Sequence, residues 1–205
     1  MKNIKVVIFD CDGVMFDTAK ANTAYYNNVL RHFNRPDMTP EQFAYSHMHT
    51  ADEAMAYLFD DKNMLEAAQT YRKNMSYLPF LKYMEIEPYL KILLKRLRPK
   101  YKTAIATNRT DTMKRVLVEH KLKDGFDLVV SALDVKRPKP HPEQLVKILE
   151  HFDVAPYNAI YIGDSKLDEI AARAANIPLV AYKNTAISAD FHIKSLKELE
   201  DIIEI

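Results

Sequence analysis

The sequence predicts an α/β fold: a parallel sheet layered by helices on both faces, with an all-helical insertion after the first strand. Three observations carry this. Short β-branched runs at 4–9, 102–107, 126–131, 159–163 and 177–182 alternate with helical patterns at 86–98, 111–121, 142–152, 167–175 and 195–202. That is the rhythm of strand–helix–strand crossovers. The strand runs are continuously apolar, as strands buried on both faces are. Residues 18–84 break the rhythm and hold no strand pattern.

The first run, "IKVVIF", ends in "DCDG" at 10–13. Four helices follow in the insertion: "AKANTAYYNNVLRHF", "PEQFAYSHM", "ADEAMAYLF" and "MLEAAQTYRKNMSYL". Asp17 or Thr18 is placed to cap the first, and Thr39 the second, with Pro40 at its first position. The insertion reads as a separate cap domain over 17–84. Its linkers lie near 15–19 and 79–87, and residues 1–16 and 85–205 form the core domain. Asp111 with Thr112 is placed to cap the helix near 111–121, and Asp164 with Ser165 the helix near 167.

A length of 205 residues allows one sizeable core and a small accessory domain. Lysine plus arginine is 29 against 28 acidic residues, so no basic surface for nucleic acid is expected. No apolar run approaches the roughly 18–20 residues that span a bilayer. The start "MKNIKVVIFDCD" lacks the features of a secretory signal. The single cysteine, Cys11, cannot form an intrachain disulfide. The expectation is a cytoplasmic protein without nucleic-acid or membrane partners; oligomeric state is not readable.

There are three glycines, at 13, 125 and 163, where average usage of about 7% would give roughly fourteen. They are expected where a backbone cannot tolerate a Cβ. Gly125, in "LKDGFD", reads as a helix C-cap. Gly13 and Gly163 each adjoin an aspartate.

Ligands bind at the carboxyl ends of strands in open α/β sheets. Those ends read Asp10 and Asp12, then Thr107 and Asn108, then Ser131, then Gly163 and Asp164. Three carboxylates converging there would repel by roughly 4 kcal/mol per pair at about 4 Å and an effective dielectric near 20. Such a cluster calls for a hard cation, magnesium first. Lys139, on the proline-stiffened "PKPHPE" loop, supplies a fixed positive charge suited to a phosphate dianion.

Four segments, "DCDGVMFDT", "ATNR", "KPHPE" and "GDSKLDEIAA", resemble the ordered motifs of the haloacid dehalogenase superfamily, in particular its phosphatases with a helical cap, such as phosphoglycolate phosphatases. The resemblance covers the core; the insertion matches in position and helical character. It implies a Rossmann-like three-layer core and a magnesium-dependent phosphatase that hydrolyses small phosphomonoesters through an aspartyl-phosphate. By that resemblance Asp10 is the nucleophile, and Asp12 the general acid and then base. Thr107, Asn108 and Lys139 bind the phosphate, with Thr107 and Lys139 also catalytic. Asp10, Asp12 (through its carbonyl) and Asp164 hold Mg2+, with Asp168 a ligand or an outer-shell support. Lys136 competes with Lys139, but the KPxPE spacing matches Lys139. An aspartate at 12 disfavours dehalogenase and phosphonatase chemistry. A β-phosphoglucomutase-like mutase is the enzymatic alternative, and an idle binding module the non-enzymatic one. Family phosphatases commonly carry a glycine soon after the second linker, where this chain has Glu85 and Glu87.

Other candidates have plainer readings. Cys11 falls between the aspartates and is expected to point into packing. His47 and His49 do not share a helix face. Arg72, Lys73 and Lys82 read as ordinary helix-surface charges that could reach an anion. Tyr25, Tyr26 and Phe33 read as cap core.

Overall fold

The computed structural model describes every residue except Lys2, Pro99 and Asp111; the capping expected of Asp111 therefore lies outside the described residues. The chain runs β1 (Val6–Phe9), β2 (Phe16–Asp17), α1 (Ala19–His32), α2 (Pro40–Met48), α3 (Ala51–Leu58), α4 (Lys62–Asn74), α5 (Leu78–Leu81), β3 (Glu85–Ile86), α6 (Leu90–Leu97), β4 (Lys102–Thr107), α7 (Met113–Glu119), β5 (Leu128–Ser131), α8 (Glu143–Phe152), β6 (Ala159–Gly163), α9 (Lys166–Ala175), β7 (Leu179–Tyr182), β8 (Phe191–Ile193) and α10 (Leu199–Ile203). It divides into two compact units, Met1–Phe16 with Ile86–Ile205, and Asp17–Glu85.

The larger unit is built on a parallel sheet of order β5–β4–β1–β6–β7–β8. The strand β1 sits near the middle because its four residues are fully buried. Val6 and Ile8 share one apolar cluster with Ala104, Ala106, Val130 and residues of α8 and α9. The alternate residues Val7, Phe9, Ile105 and Ile162 are equally buried, and Phe9 meets Phe126 edge-on at 5.9 Å. Both faces are thus covered, which explains runs without period-two alternation. β8 escapes sequence reading because "FHI" is three residues long and places its central histidine on the exposed side.

Gly125 departs from its expected role. The left-handed residue after α7 is Lys121, at φ 56°. Gly125 instead closes a 3-10 turn, Lys123–Gly125, and its carbonyl accepts from Thr103 Oγ1 at 2.8 Å. Thr112 occupies the N-cap position of α7 without a side-chain capping bond.

The smaller unit is helical. Thr39 and Thr50 close reciprocal capping boxes at the starts of α2 and α3, satisfying otherwise unpaired N–H groups. Asp17 Oδ1 accepts from Ala19 N at 3.0 Å, whereas Thr18 makes no side-chain cap bond. Tyr25 packs against Tyr26, Tyr77 and Phe80 with ring centroids 5.0–5.5 Å apart, and Phe33 packs edge-on against Phe59. Arg72 is buried and pairs with Asp52 at 2.5 Å, so it pins helices of this unit. Tyr45 stacks on His49 at 3.8 Å, and His47 bonds Asn22 at 3.0 Å.

The linker strands β2 and β3 pair with each other. Where the family commonly has a glycine, Glu87 is buried. Its carboxylate accepts from Tyr182 Oη at 2.6 Å and Lys183 Nζ at 2.7 Å, and its N–H donates to Met15 O at 3.0 Å. An anchored acid thus fixes the re-entering chain to the end of β7.

Candidate active site

The site lies where β1, β4 and β6 end side by side. β1 has β4 on one flank and β6 on the other, so this is the point where the strand order reverses. Asp10 continues β1, its N–H donating to Ile162 O at 2.9 Å. Cys11 is fully buried, and burial pushes its thiol well above the ordinary range, so it packs and is not poised as a thiolate.

Gly13 then turns the chain at φ +84°. An added Cβ there would strike the Asp164 carboxylate. Gly13→Ala is expected to cost about 1–3 kcal/mol through backbone strain and overpacking; urea unfolding of the variant at wild-type stability would contradict this. Gly163 has a matching cause: a Cβ would lie 2.5 Å from Asp168 Cβ, so its absence lets α9 approach β6.

Lys139 is the electrostatic centre. Its Nζ donates to Asp10 Oδ1 at 2.7 Å, Asp168 Oδ1 at 2.7 Å and Tyr161 Oη at 2.9 Å, with the side chain only 4% exposed. Burial works against its charge, but the two carboxylates outweigh burial and hold its pKa above the ordinary lysine range. The competing Lys136 is exposed. The Lys139 loop is tied by Asn108, whose amide donates to Lys139 O at 3.0 Å and accepts from Lys139 N at 3.1 Å. The Asn108 side chain, expected at the substrate, is therefore engaged in holding the lysine. Gln144, which sequence reasoning missed, is fully buried and reaches Thr107 O at 2.7 Å and Lys139 N at 3.2 Å.

Asp168 is fully buried. Its Oδ1 accepts from Lys139 and from Tyr161 Oη (2.5 Å), and its Oδ2 from Asp164 N (3.2 Å), Ser165 N (3.0 Å) and Ser165 Oγ (2.6 Å). An ionised carboxylate has about four lone-pair sites, so these donors saturate it. The donors, led by Lys139, overcome burial and hold its pKa below the usual carboxylate range. Ser165, not Asp164, caps α9.

Asp10 behaves oppositely. Burial, opposed by Lys139 and reinforced by Asp168 and Asp12, pushes its pKa up to about 7. The shared ammonium favours Asp168, which has more donors. Asp164 is also pushed well up, by burial and then by Asp168 and Asp10. Carboxylate oxygens of Asp10, Asp164 and Asp168 lie within 4.8 Å of one another; Asp10 and Asp164 are the two with capacity left to hold a metal ion, with the saturated Asp168 beside them. Three carboxylates against one ammonium leave a deficit that one divalent cation would balance, and an all-oxygen set suits a hard one.

Thr107 is fully buried at the end of β4, and its Oγ1 accepts from Arg109 N at 3.1 Å, leaving the hydroxyl proton to donate. Asp12 receives a two-pronged bond from Arg109: Nε to Oδ2 and Nη2 to Oδ1, each 2.8 Å. The arginine stands in "ATNR", but nothing in that string says that it reaches a residue 97 positions away.

A parallel sheet ending in paired aspartates, a buried lysine and a metal-capable carboxylate cluster defines a hydrolase of the haloacid dehalogenase type. The chain belongs to that family: the model of the haloacid dehalogenase-like hydrolases matches residues 7–182. It is 29% identical to the pyrophosphatase PpaX of Bacillus cereus over 98% of this chain and 96% of that one. It is 35% identical to a HAD-superfamily hydrolase (subfamily IA, variant 1) of Geobacter sulfurreducens, with a TM-score of 0.80 over 98% and 97% of the two chains. β-Phosphoglucomutase of Clostridium difficile, at 23% identity, has the same fold with a TM-score of 0.82 over 96% and 93%. The protein is thus an enzyme, a hydrolase. Among the described residues no helix is long and apolar enough to cross a membrane.

Proposed function

We propose that the protein is a magnesium-dependent phosphatase of small phosphorylated molecules that works through an aspartyl-phosphate on Asp10. The observation that carries the reading is Asp10 at the end of β1, 2.7 Å from a buried ammonium and inside a carboxylate cluster. An oxygen of Asp10 forms a bond to phosphorus as the bond from phosphorus to the leaving oxygen breaks. Asp12 gives that oxygen its proton. Water then attacks phosphorus, its proton returning to Asp12, and the Asp10–phosphorus bond breaks. Thr107 Oγ1 donates to a phosphoryl oxygen, and Lys139 offsets charge on Asp10 and the transferring group. Asp10, Asp164 and the carbonyl of Asp12 hold Mg2+, which when bound supplies positive charge against the phosphoryl oxygens. Asp168, its lone pairs taken, positions Lys139 and the Asp164 turn. Residues 17–85 serve as the cap, as their place after the first motif implies.

The relative named pyrophosphatase adds phosphoanhydrides to phosphomonoesters as candidate substrates. The test is release of phosphate, with and without magnesium, from a panel of phosphorylated metabolites and pyrophosphate. Magnesium-dependent release supports the reading. Sugar-phosphate interconversion that needs a bisphosphate primer contradicts it and favours the mutase alternative.

Magnesium binding is expected to depend on pH. Without a cation Asp10 keeps its proton up to about pH 7, so protons compete with the ion. Apparent magnesium affinity therefore rises with pH through that range. Calorimetric titration giving the same affinity at pH 6 and pH 8 would count against Asp10 as a ligand.

A further inference from the structure

We infer that Arg109 is a substrate-released latch on Asp12, and that the preferred substrates carry a second anionic group on the leaving side, next to the scissile bond. The inference rests on the phosphatase reading and deepens it. Arg109 is built into the site. Its side chain is 7% exposed, its carbonyl accepts from Ala132 N at 3.1 Å, and its Nη1 donates to Thr112 Oγ1 at 3.1 Å. Its remaining fork takes both oxygens of Asp12.

That grip conflicts with the work proposed for Asp12. To protonate the leaving oxygen, Asp12 must turn an O–H toward it. With both oxygens accepting from one planar guanidinium, the carboxyl group is held in the plane of that fork and cannot turn toward the leaving oxygen. At least one prong has to let go, and a buried guanidinium leaves a carboxylate only for another anion of matching geometry. A phosphate or carboxylate on the leaving group provides one beside Asp12. Arg109 then moves from Asp12 to the substrate, and Asp12 turns to the leaving oxygen. A substrate with an uncharged leaving group has to break the fork without that replacement.

The test compares inorganic pyrophosphate, whose leaving group is an anion-bearing phosphate, with phenyl phosphate, whose leaving group has no anionic substituent. In Arg109→Met, kcat/KM for pyrophosphate is expected to fall on the order of 30-fold more than for phenyl phosphate, as loss of a charge-assisted contact implies. The pyrophosphate loss appears mainly in KM. Arg109→Lys, which restores the charge without the fork, recovers part of it. A loss by the same factor on both substrates, or a larger one on phenyl phosphate, overturns the latch and makes Arg109 a plain support of Asp12. Wild-type enzyme that hydrolyses neither substrate with magnesium overturns the phosphatase reading and the latch with it.

Discussion

Asp10→Asn is expected to lower magnesium-dependent phosphate release by about 10^4-fold or more, the scale seen when a nucleophile is removed. The fold is expected to survive. Ionising Asp10 in the folded protein is unfavourable, because burial pushes its pKa from 3.8 to about 7. A raised carboxylate pKa means that stability is lost as pH rises through that window. The amide carries no such penalty, and Lys139 keeps Asp168 as its partner. At pH 8 without a cation the variant is therefore as stable as wild type or more so, measured by urea unfolding. Wild-type turnover in the purified variant would remove Asp10 from the mechanism.

Lys139→Met is expected to damage both stability and activity. It leaves Asp10 and Asp168, both buried, without their shared ammonium. Breaking a buried ion pair from one side costs about 3–5 kcal/mol, and turnover falls with the loss of charge beside the transferring group. Lys136→Met is the internal control: Lys136 is exposed, and surface changes of that kind stay within about 0.5 kcal/mol. Equal stability of the two variants by urea unfolding would contradict the central place given to Lys139.

Much of the fold is legible because buried parallel strands and amphipathic helices write different periods into a chain. "VVIF", "KTAIAT" and "AIYIG" are strands in the structure, and "PEQFAYSHM" is a helix that starts where its threonine and proline announce. Period says nothing about a strand as short as "FHI", nor about α5, a four-residue helix with Pro79 in its first turn. Within the site, motif spacing places Asp10, Asp12, Thr107, Lys139 and Asp164 at neighbouring strand ends or on the loops beside them, and Asp168 in the first turn of α9. It cannot assign partners across strands. That Asn108 holds the lysine loop, that Tyr161 meets Lys139, and that Arg109 grips Asp12 depend on contacts between segments far apart in sequence, and the nearer bonds of Gln144 to Lys139 and of Tyr161 to Asp168 depend on how the loops fold back. Glu87 illustrates the same limit. Against the family pattern it reads as a departure, and only its bonds to Tyr182 and Lys183 give it a structural role.

The central claim is a covalent phosphate on Asp10. Its direct test is rapid acid quench of the enzyme with magnesium and a phosphate-labelled substrate during turnover, followed by peptide mapping. The account predicts hydroxylamine-labile label on the peptide that carries Asp10, absent from Asp10→Asn. Label on any other residue, or turnover without bound label, would contradict it.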